Sequence, residues 1–576
     1  MSVVAPLKSL DELIRYKRPP LCVVEPLRDI ERGEPGRPKI LYCHDTDIYL
    51  EDKYVYGSNK MDSYRFYHWQ IIDTFVYYSH HMVTIPPPCW ITAAHKHGVK
   101  VLGTFTLEPD EGIKAVNKIK GGNQIAAVAS QLALIAARSR FDGWLVRIAT
   151  RMDGSAGRFV NELLTAIAQE THRSVPGSTV IWQDSILPNG TVEPQSELND
   201  RNWGFFNMCD GILLNYQWNE SLLQNSANRA GKRKGDVYVG VDVFARDTCY
   251  NGGYDMHKAV AIVRGYGLSA AILGAGWVVE KQEKKKFTEN QCLLWALPDD
   301  CSSEWRAKTL PLSTTFCQGF GTSQYKQGQA VMSAPWFNLS RQELQPRDQG
   351  MMLCGGGGSA MVHTAEAYKG GGCLRLAYDP KQAPGSTVIP YFRLFGCDLP
   401  LGSLCVSYTY KTPSCLAGHD INLILKVRDA TGKREELSIG SIITVPQGGN
   451  YIVKRDISNN PQGDPGSSAT LWLTRKYHVK DATGSAVLEE TGMAFGSHEQ
   501  NAFLVGELVL KRPDGAASSK AAKDSDAEAS SDEDSAGRPE TEEKLQEWLA
   551  KSTAMNTGQA DGPVTFDISM SSDESD

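Results

Sequence analysis

Phe141-Asp142-Gly143-Trp144-Leu145-Val146-Arg147-Ile148-Ala149-Thr150 is the stretch whose reading decides the fold. It is short and apolar, enters through an Asp-Gly turn, and lies between two segments with helical spacing. That is the pattern of a strand buried on both faces in a parallel sheet. In a barrel of alternating strands and helices, chemistry sits at the carboxyl ends of the strands, which here means Arg147, Ala149 and their neighbours.

The same beat runs outward in both directions. Strands are expected at Lys39–Asp45, Phe75–Ser79 and Lys100–Glu108 before this stretch, and at Ser178–Ser185, Gly211–Tyr216, Asp236–Phe244 and Ala270–Gly274 after it. Helical patterns fall at Trp90–His97, closed by Gly98, at Gln124–Ser139 and at Gly157–Thr171. Eight strands counted from Lys39 and ending near residue 300 predict an α/β fold, a (β/α)8 TIM barrel.

A chain of 576 residues exceeds what one hydrophobic core usually serves, so further domains are expected. Residues 1–36 read as a leader rich in Pro, Arg and Glu that packs on the barrel or stays mobile, and 37–310 as the barrel. From Pro311 the period becomes two and Gly-rich breaks appear. Cys373–Tyr378, Leu404–Tyr410, Ile421–Val427, Ala469–Leu473 and Ala502–Leu510 predict a β-sandwich of jelly-roll type over 311–511.

Residues 512–576 are dominated by Ala, Ser, Asp and Glu and predict a disordered acidic tail, with one short helix at Glu542–Lys551. Within it Ser530, Ser531, Ser571 and Ser572 precede acidic runs. Val564–Ile568, with Phe566, fits a strand that docks on a basic protein partner once phosphorylated; the alternative is a solvating tail with no partner.

A net charge of −7 and a pI near 6.0 give no general polyanion-binding signal. The basic runs Lys232-Arg233-Lys234 and Lys284-Lys285-Lys286 read as solvated faces, so no nucleic-acid partner is expected. No apolar run suits a signal peptide or a bilayer span, which predicts a cytosolic or nuclear chain without a membrane partner and leaves the sequons at Asn189, Asn219 and Asn338 unused. The thirteen cysteines lack Cys-x-x-Cys pairs and read as reduced thiols. His80-His81 has no third ligand at metal spacing, so neither metal nor cofactor is expected.

Longer motifs carry a resemblance. Phe66-Tyr67-His68-Trp69-Gln70, Phe75 to His81, Val83-Thr84-Ile85-Pro86-Pro87, Phe141-Asp142-Gly143-Trp144-Leu145, Asp236 to Arg246 and Gly276-Trp277-Val278 resemble the cytosolic endo-β-N-acetylglucosaminidases, glycoside hydrolases of family 85. The resemblance implies a β-sandwich after the barrel. It also implies cleavage within the N,N'-diacetylchitobiose core of N-glycans by substrate-assisted retention, the sugar's own acetamide being the nucleophile. An acid then protonates the leaving oxygen and a side-chain amide orients the acetamide. The family places that Asn and Glu two residues apart on the strand after Phe-Asp-Gly-Trp, where this chain has Arg147 and Ala149.

A family tyrosine corresponds to Gln183, a tryptophan to Pro109, and a Gly-Gly loop to the shorter Thr46-Asp47-Ile48. The reading is therefore a glycan-binding protein with lost or strongly impaired hydrolysis. The alternative is an active enzyme releasing oligosaccharides with a displaced acid, either Glu108 or Asp184. Glu108, Asp184 and Asp242 each read as a rim acid or as the partner of a base such as Arg147 or Arg246. Asn215, Tyr216, Trp218, Asp242 and Trp277 are the expected sugar-binding residues, with packing the alternative for Trp218 and Trp277. Asp142 reads as a turn former.

Overall fold

The computed structural model describes residues 4–17, 23–45, 57–298, 305–346, 357–382, 389–412, 420–456, 472–497 and 499–513. The acidic tail with its expected helix, phosphorylation sites and docking strand lies outside these residues, as do Thr46-Asp47-Ile48 and Ala469-Thr470-Leu471.

Strands Ile40–Asp45 (β1), Thr74–Tyr78 (β2), Lys100–Leu107 (β3), Gly143–Ile148 (β4), Thr179–Gln183 (β5), Gly211–Leu214 (β6), Val237–Asp242 (β7) and Ser269–Leu273 (β8) each pair in parallel with the next. β8 pairs back to β1, so the ring closes as an eight-stranded parallel barrel. Strand alternation then divides the side chains between two layers. Leu41, Cys43, Val76, Tyr78, Leu102, Leu145, Ile181, Leu213, Tyr238 and Ala271 fill the lumen as one cluster with members from every strand. Trp144, Val146, Val180, Trp182 and Val239 point out and join the larger cluster beneath the helices.

Helix Pro88–Lys96 (α1) starts with proline at its first turn, where the missing N–H costs nothing. Helix Pro109–Gly121 (α2), which the residue pattern did not single out, begins the same way directly after Glu108. Helices Ile125–Ser139 (α3) and Ala156–Ser174 (α4) flank β4; α4 buries Phe159, Val160, Leu163, Leu164 and Ile167, the stripe its spacing requires.

The leader is built into the fold. Leu7, Leu10, Leu13 and Val24 join the outer barrel core, and Ile30–Glu31 pairs with Arg306–Ala307 at the start of the C-terminal region. That region holds two seven-stranded sheets. One is centred on Tyr391–Pro400, Val487–Phe495 and Ile421–Arg428, the other on Cys373–Tyr378, Asn501–Lys511, Ser403–Lys411 and Leu473–Asp481. A single core, including Leu376, Leu394, Val406, Leu423, Leu488 and Leu508, draws residues from both.

Barrel and sheets meet at His97, the residue capping α1. Its Nδ1 bonds Ala93 O at 2.6 Å, Gln345 N donates to its Nε2 at 3.2 Å, and Trp305 Nε1 donates to its carbonyl at 2.8 Å. Burial pushes the ring down to about 3, so it is neutral and Nε2 is free to accept. Nearby Gln342 Nε2 donates to Phe66 O at 3.0 Å, and Lys96 reaches Ser340 O at 3.2 Å and Glu343 Oε1 at 3.2 Å.

The Asp-Gly entry to β4 does two jobs. Asp142 Oδ2 accepts from His95 Nε2 at 2.8 Å and from Val101 N at 2.7 Å, tying α1 and β3 to the start of β4. Gly143 has φ +141°, and a Cβ there would lie 1.9 Å from Thr179 O. Gly143→Ala is expected to lower stability by about 2–4 kcal/mol, combining a glycine-only conformation with a backbone clash. Gly177→Ala, at φ +74° with open space around it, should cost only about 1–2 kcal/mol. Urea unfolding midpoints of the two variants check this; equal losses would show that the β4–β5 contact is not the constraint.

Candidate active site

The lumen-facing parity of Leu145 carries on to Arg147 and Ala149, that of Ile181 to Gln183, that of Leu213 to Asn215 and that of Tyr238 to Asp242. Thr106 pairs with Arg147 in register, so Glu108 and Ala149 stand at the same level on neighbouring strands. The mouth of the barrel thus brings together Glu108, Arg147, Ala149, Gln183, Asn215 and Asp242.

At its centre is an ion pair between Arg147 Nη1 and Glu108 Oε1, with side chains 22% and 29% exposed, so the pair is open to the mouth on one side. His80 Nδ1 lies 3.4 Å from the same carboxylate oxygen. Tyr78, largely buried beneath the pair, has its hydroxyl pushed up by burial, with Arg147 opposing. Ala149 is buried; its N–H donates to Leu107 O at 2.9 Å, and its methyl side chain has no proton to give.

Gln183 Oε1 is buried and has no hydrogen-bond partner among the described residues, and the hydroxyls of Thr104 and Thr106 share that state. Buried polar atoms are nearly always satisfied, so Gln183 Oε1, at the carboxyl end of β5, is where a bound polar ligand gains most.

Asp184 has the opposite parity. It follows Trp182, which belongs to the outer core, and its carboxylate accepts from Gln195 N at 2.8 Å, Asn202 Nδ2 at 3.3 Å and Trp182 Nε1 at 3.4 Å. At 4% exposure it holds the segment after β5 against the shell, with no path to the lumen. Of the two expected substitute acids, geometry leaves only Glu108 at the mouth.

Asp242 is fully buried and held bidentately by Arg246, at 2.9 Å from Nε and 2.8 Å from Nη2, with Arg246 N at 3.0 Å. Its own N–H donates to Tyr250 OH at 2.9 Å. Tyr250 stacks on Trp218, the centroids 4.8 Å apart. Trp218 is 3% exposed and gives its indole N–H to Gly240 O at 2.8 Å, so it packs behind the rim and presents no free face. Trp277 differs: with Tyr254 edge-on at 5.1 Å it lines a pocket of 520 Å³ with Phe244, Gly253 and Gln282. Gly253 has φ +56°, and a Cβ would sit 2.8 Å from the Trp277 ring. Asn215 Oδ1 accepts from Tyr216 N at 2.9 Å and its Nδ2 reaches Gln217 Oε1 at 3.3 Å; Tyr216 lies 6.0 Å from the Arg246 guanidinium.

Tyr78 and Tyr250 were not among the residues the sequence pointed to. Tyr78 ends a strand on the lumen parity and was legible in principle. Tyr250 lies in the loop after β7, where no periodicity operates. Among the described residues no group of three His, Cys, Asp or Glu side chains has metal-binding geometry.

A closed (β/α)8 barrel with polar groups gathered at its mouth, followed by strand-rich sheets, is an architecture also seen among solved structures. The glycoside hydrolase domain of Endo-D from Streptococcus pneumoniae R6 shares this fold, with a TM-score of 0.66 over 88% of this chain and 83% of that one at 15% identity. The sequence model of glycosyl hydrolase family 85 matches residues 47–324. The chain is 36% identical over 495 residues to the cytosolic endo-beta-N-acetylglucosaminidase of Mus musculus (82% of this chain, 66% of the relative) and 37% identical over 487 residues to that of Homo sapiens (81% and 63%). It is 45% identical over 313 residues to that of Gallus gallus (54% and 43%). It therefore spans between about two fifths and two thirds of these relatives' lengths. The chain belongs to glycosyl hydrolase family 85.

The buried acid yields a test of placement. Burial pushes Asp184 up to about 6 from 3.8 against the hydrogen bonds it accepts. The native state then holds the proton more tightly than the unfolded chain, so stability falls as pH rises from 3.8 to about 6 and stays lower above. Asp184→Asn should remove most of this fall, on the order of 2–3 kcal/mol across the window, in urea unfolding at a series of pH values. Parallel curves for the two proteins would place Asp184 in water instead.

Proposed function

We propose that this chain binds the N,N'-diacetylchitobiose core of N-glycans at the barrel mouth in the cytosol, as the names of its relatives suggest, and that its hydrolysis is lost or strongly impaired. The observation that carries the reading is the pair of residues Arg147 and Ala149 on the lumen face of β4, with Arg147 engaging Glu108.

Substrate-assisted cleavage needs three things at that face: a proton for the leaving oxygen, an acceptor or donor that orients the acetamide as it attacks C1, and an environment that favours positive charge at the sugar. Ala149 supplies no proton, and loss of a general acid costs about 10²–10⁴ in rate. Arg147 brings fixed positive charge where the transition state itself becomes positive, which opposes the reaction. Binding survives these changes. Gln183 Oε1, buried without a partner among the described residues, suits a sugar N–H or O–H donor. Trp277 borders an open pocket on the same side of the barrel, where a ring face can stack on a sugar.

One observation favours the second reading, a working glycosidase with a displaced acid. Glu108 stands beside Ala149 at the level the acid would occupy. Against it, the Glu108 carboxylate is already the acceptor of Arg147 and lies within reach of His80.

Incubation of the purified chain with a high-mannose glycopeptide is expected to release no oligosaccharide, whereas the triple variant Arg147→Asn, Ala149→Glu, Gln183→Tyr should release it measurably. Release by the unaltered chain at an ordinary enzyme's rate would overturn the reading. If release is slow and Glu108→Gln abolishes it, the displaced-acid reading stands in its place.

Titration calorimetry with the same glycopeptide should show weak binding, and Trp277→Ala should weaken it about fivefold, the effect of losing roughly 1 kcal/mol of stacking. A flat titration for the unaltered chain would leave a family member that binds no N-glycan core.

A further inference from the structure

Far from the barrel mouth, the outer face of the second C-terminal sheet carries a thiol between a histidine and several lysines. Cys405 and His478 are direct cross-strand partners, with Cys405 Sγ 3.3 Å from His478 Nδ1. The other ring nitrogen, Nε2, lies 4.0 Å from Asp456 Oδ2. One imidazole nitrogen is therefore engaged by the sulfur, and a carboxylate lies on the side of the other. This is the arrangement that activates a sulfur nucleophile.

The register places the charges. Lys511 pairs with Cys405 from the neighbouring strand, and Lys454 pairs with His478 from the other side. Lys480 and Lys476 stand opposite Ser403 and Ser407, one step up and down the same face. Cross-strand partners share a face, so these four exposed lysines surround the thiol, with Asp456 as the acid against the imidazole. Side chains of the opposite parity, Leu404, Val406, Tyr477 and Val479, are buried in the core between the sheets, which fixes the strands and hence the spacing on the outer face.

We propose that Cys405 is a modification site that forms mixed disulfides with acidic low-molecular-weight disulfides of the glutathione type. The Cys405 sulfur gives its proton to His478 and attacks one sulfur of glutathione disulfide. A bond forms between Cys405 Sγ and that sulfur as the reagent's own S–S bond breaks, and the departing glutathione thiolate takes the proton. Cys405 is oxidised, half of the reagent is reduced, and no further oxidant is required. The lysines supply attraction for the reagent's carboxylates, and the open sheet face supplies access.

Cys249 makes this testable within one molecule. It is more exposed than Cys405, but its Sγ donates to Trp218 O at 2.9 Å, a bond that only the protonated thiol makes. The other seven described free cysteines are buried. If exposure governed reactivity, Cys249 would react first.

The full chain is incubated with glutathione disulfide, quenched at intervals and mapped by peptide mass. Cys405 is expected to be modified about tenfold faster than Cys249, because an imidazole stands within reach of its proton whereas Cys249 is bonded to a carbonyl. His478→Ala should slow modification of Cys405 about threefold or more and leave Cys249 unchanged. With dicationic cystamine as the reagent, Cys405 should react more slowly than with glutathione disulfide at low salt, the gap narrowing as salt screens the lysines. Equal or faster modification of Cys249, or a His478→Ala variant that reacts at Cys405 as the unaltered chain does, would overturn the assignment. A faster reaction with cystamine would overturn the preference for acidic disulfides.

Discussion

Closure of eight parallel strands into a ring is the constraint on which the rest of this protein depends. Once the ring closes, each strand must send alternate side chains into a narrow lumen and the others under the helices. The lumen is filled largely by the apolar layer from Leu41 to Ala271, and the larger polar side chains of that parity come at the strand ends. Arg147, Gln183, Asn215 and Asp242 stand at the mouth for this reason. One step of parity sends Asp184 to the outside, where three hydrogen bonds and deep burial make it a structural acid.

Charge at the mouth follows from the same geometry. Glu108 stands two residues above the level of Arg147 on the adjacent strand, within reach of its long side chain, and a carboxylate beside a guanidinium pairs with it. The pair stands at the mouth beside the buried Ala149. Around it Asp242 is clamped by Arg246, Gly253 is pressed on Trp277 and Tyr250 is stacked on Trp218. The proposal of binding without turnover rests on Arg147 paired with Glu108 and on Ala149 beside them, within a rim held by these contacts.

The C-terminal region is joined to the barrel by apolar packing of Phe320, Phe337 and Leu339 in the barrel's outer core and by directional contacts. A neutral His97, donating to its own helix and accepting from Gln345, works only because burial keeps the ring unprotonated. Ile30–Glu31 of the leader adds a strand pairing to the same junction. The outer face of the second sheet, turned away from its core, is free to carry Cys405 and its lysines.

The sequence by itself determined the barrel and the identity of the residues at its mouth. Short continuous apolar runs alternating with helical stripes specify eight strands, and a strand's ends can be read to within one or two residues because apolar burial stops where the ladder stops. The Phe-Asp-Gly-Trp entry located β4 and, two and four residues beyond Leu145, Arg147 and Ala149. What the sequence left open was partnership. Glu108 and Asp184 looked alike as strand-end acids, and only the register of β3 with β4 and the parity of β5 separated them. Trp218 and Trp277 looked alike as rim aromatics until the fold buried one against Gly240 and left the other beside a pocket. Pairings such as Arg147 with Glu108, Gln345 with His97, or Cys405 with His478 join residues dozens to hundreds of positions apart. They depend on which strands become neighbours, a property of the closed chain that no local periodicity encodes.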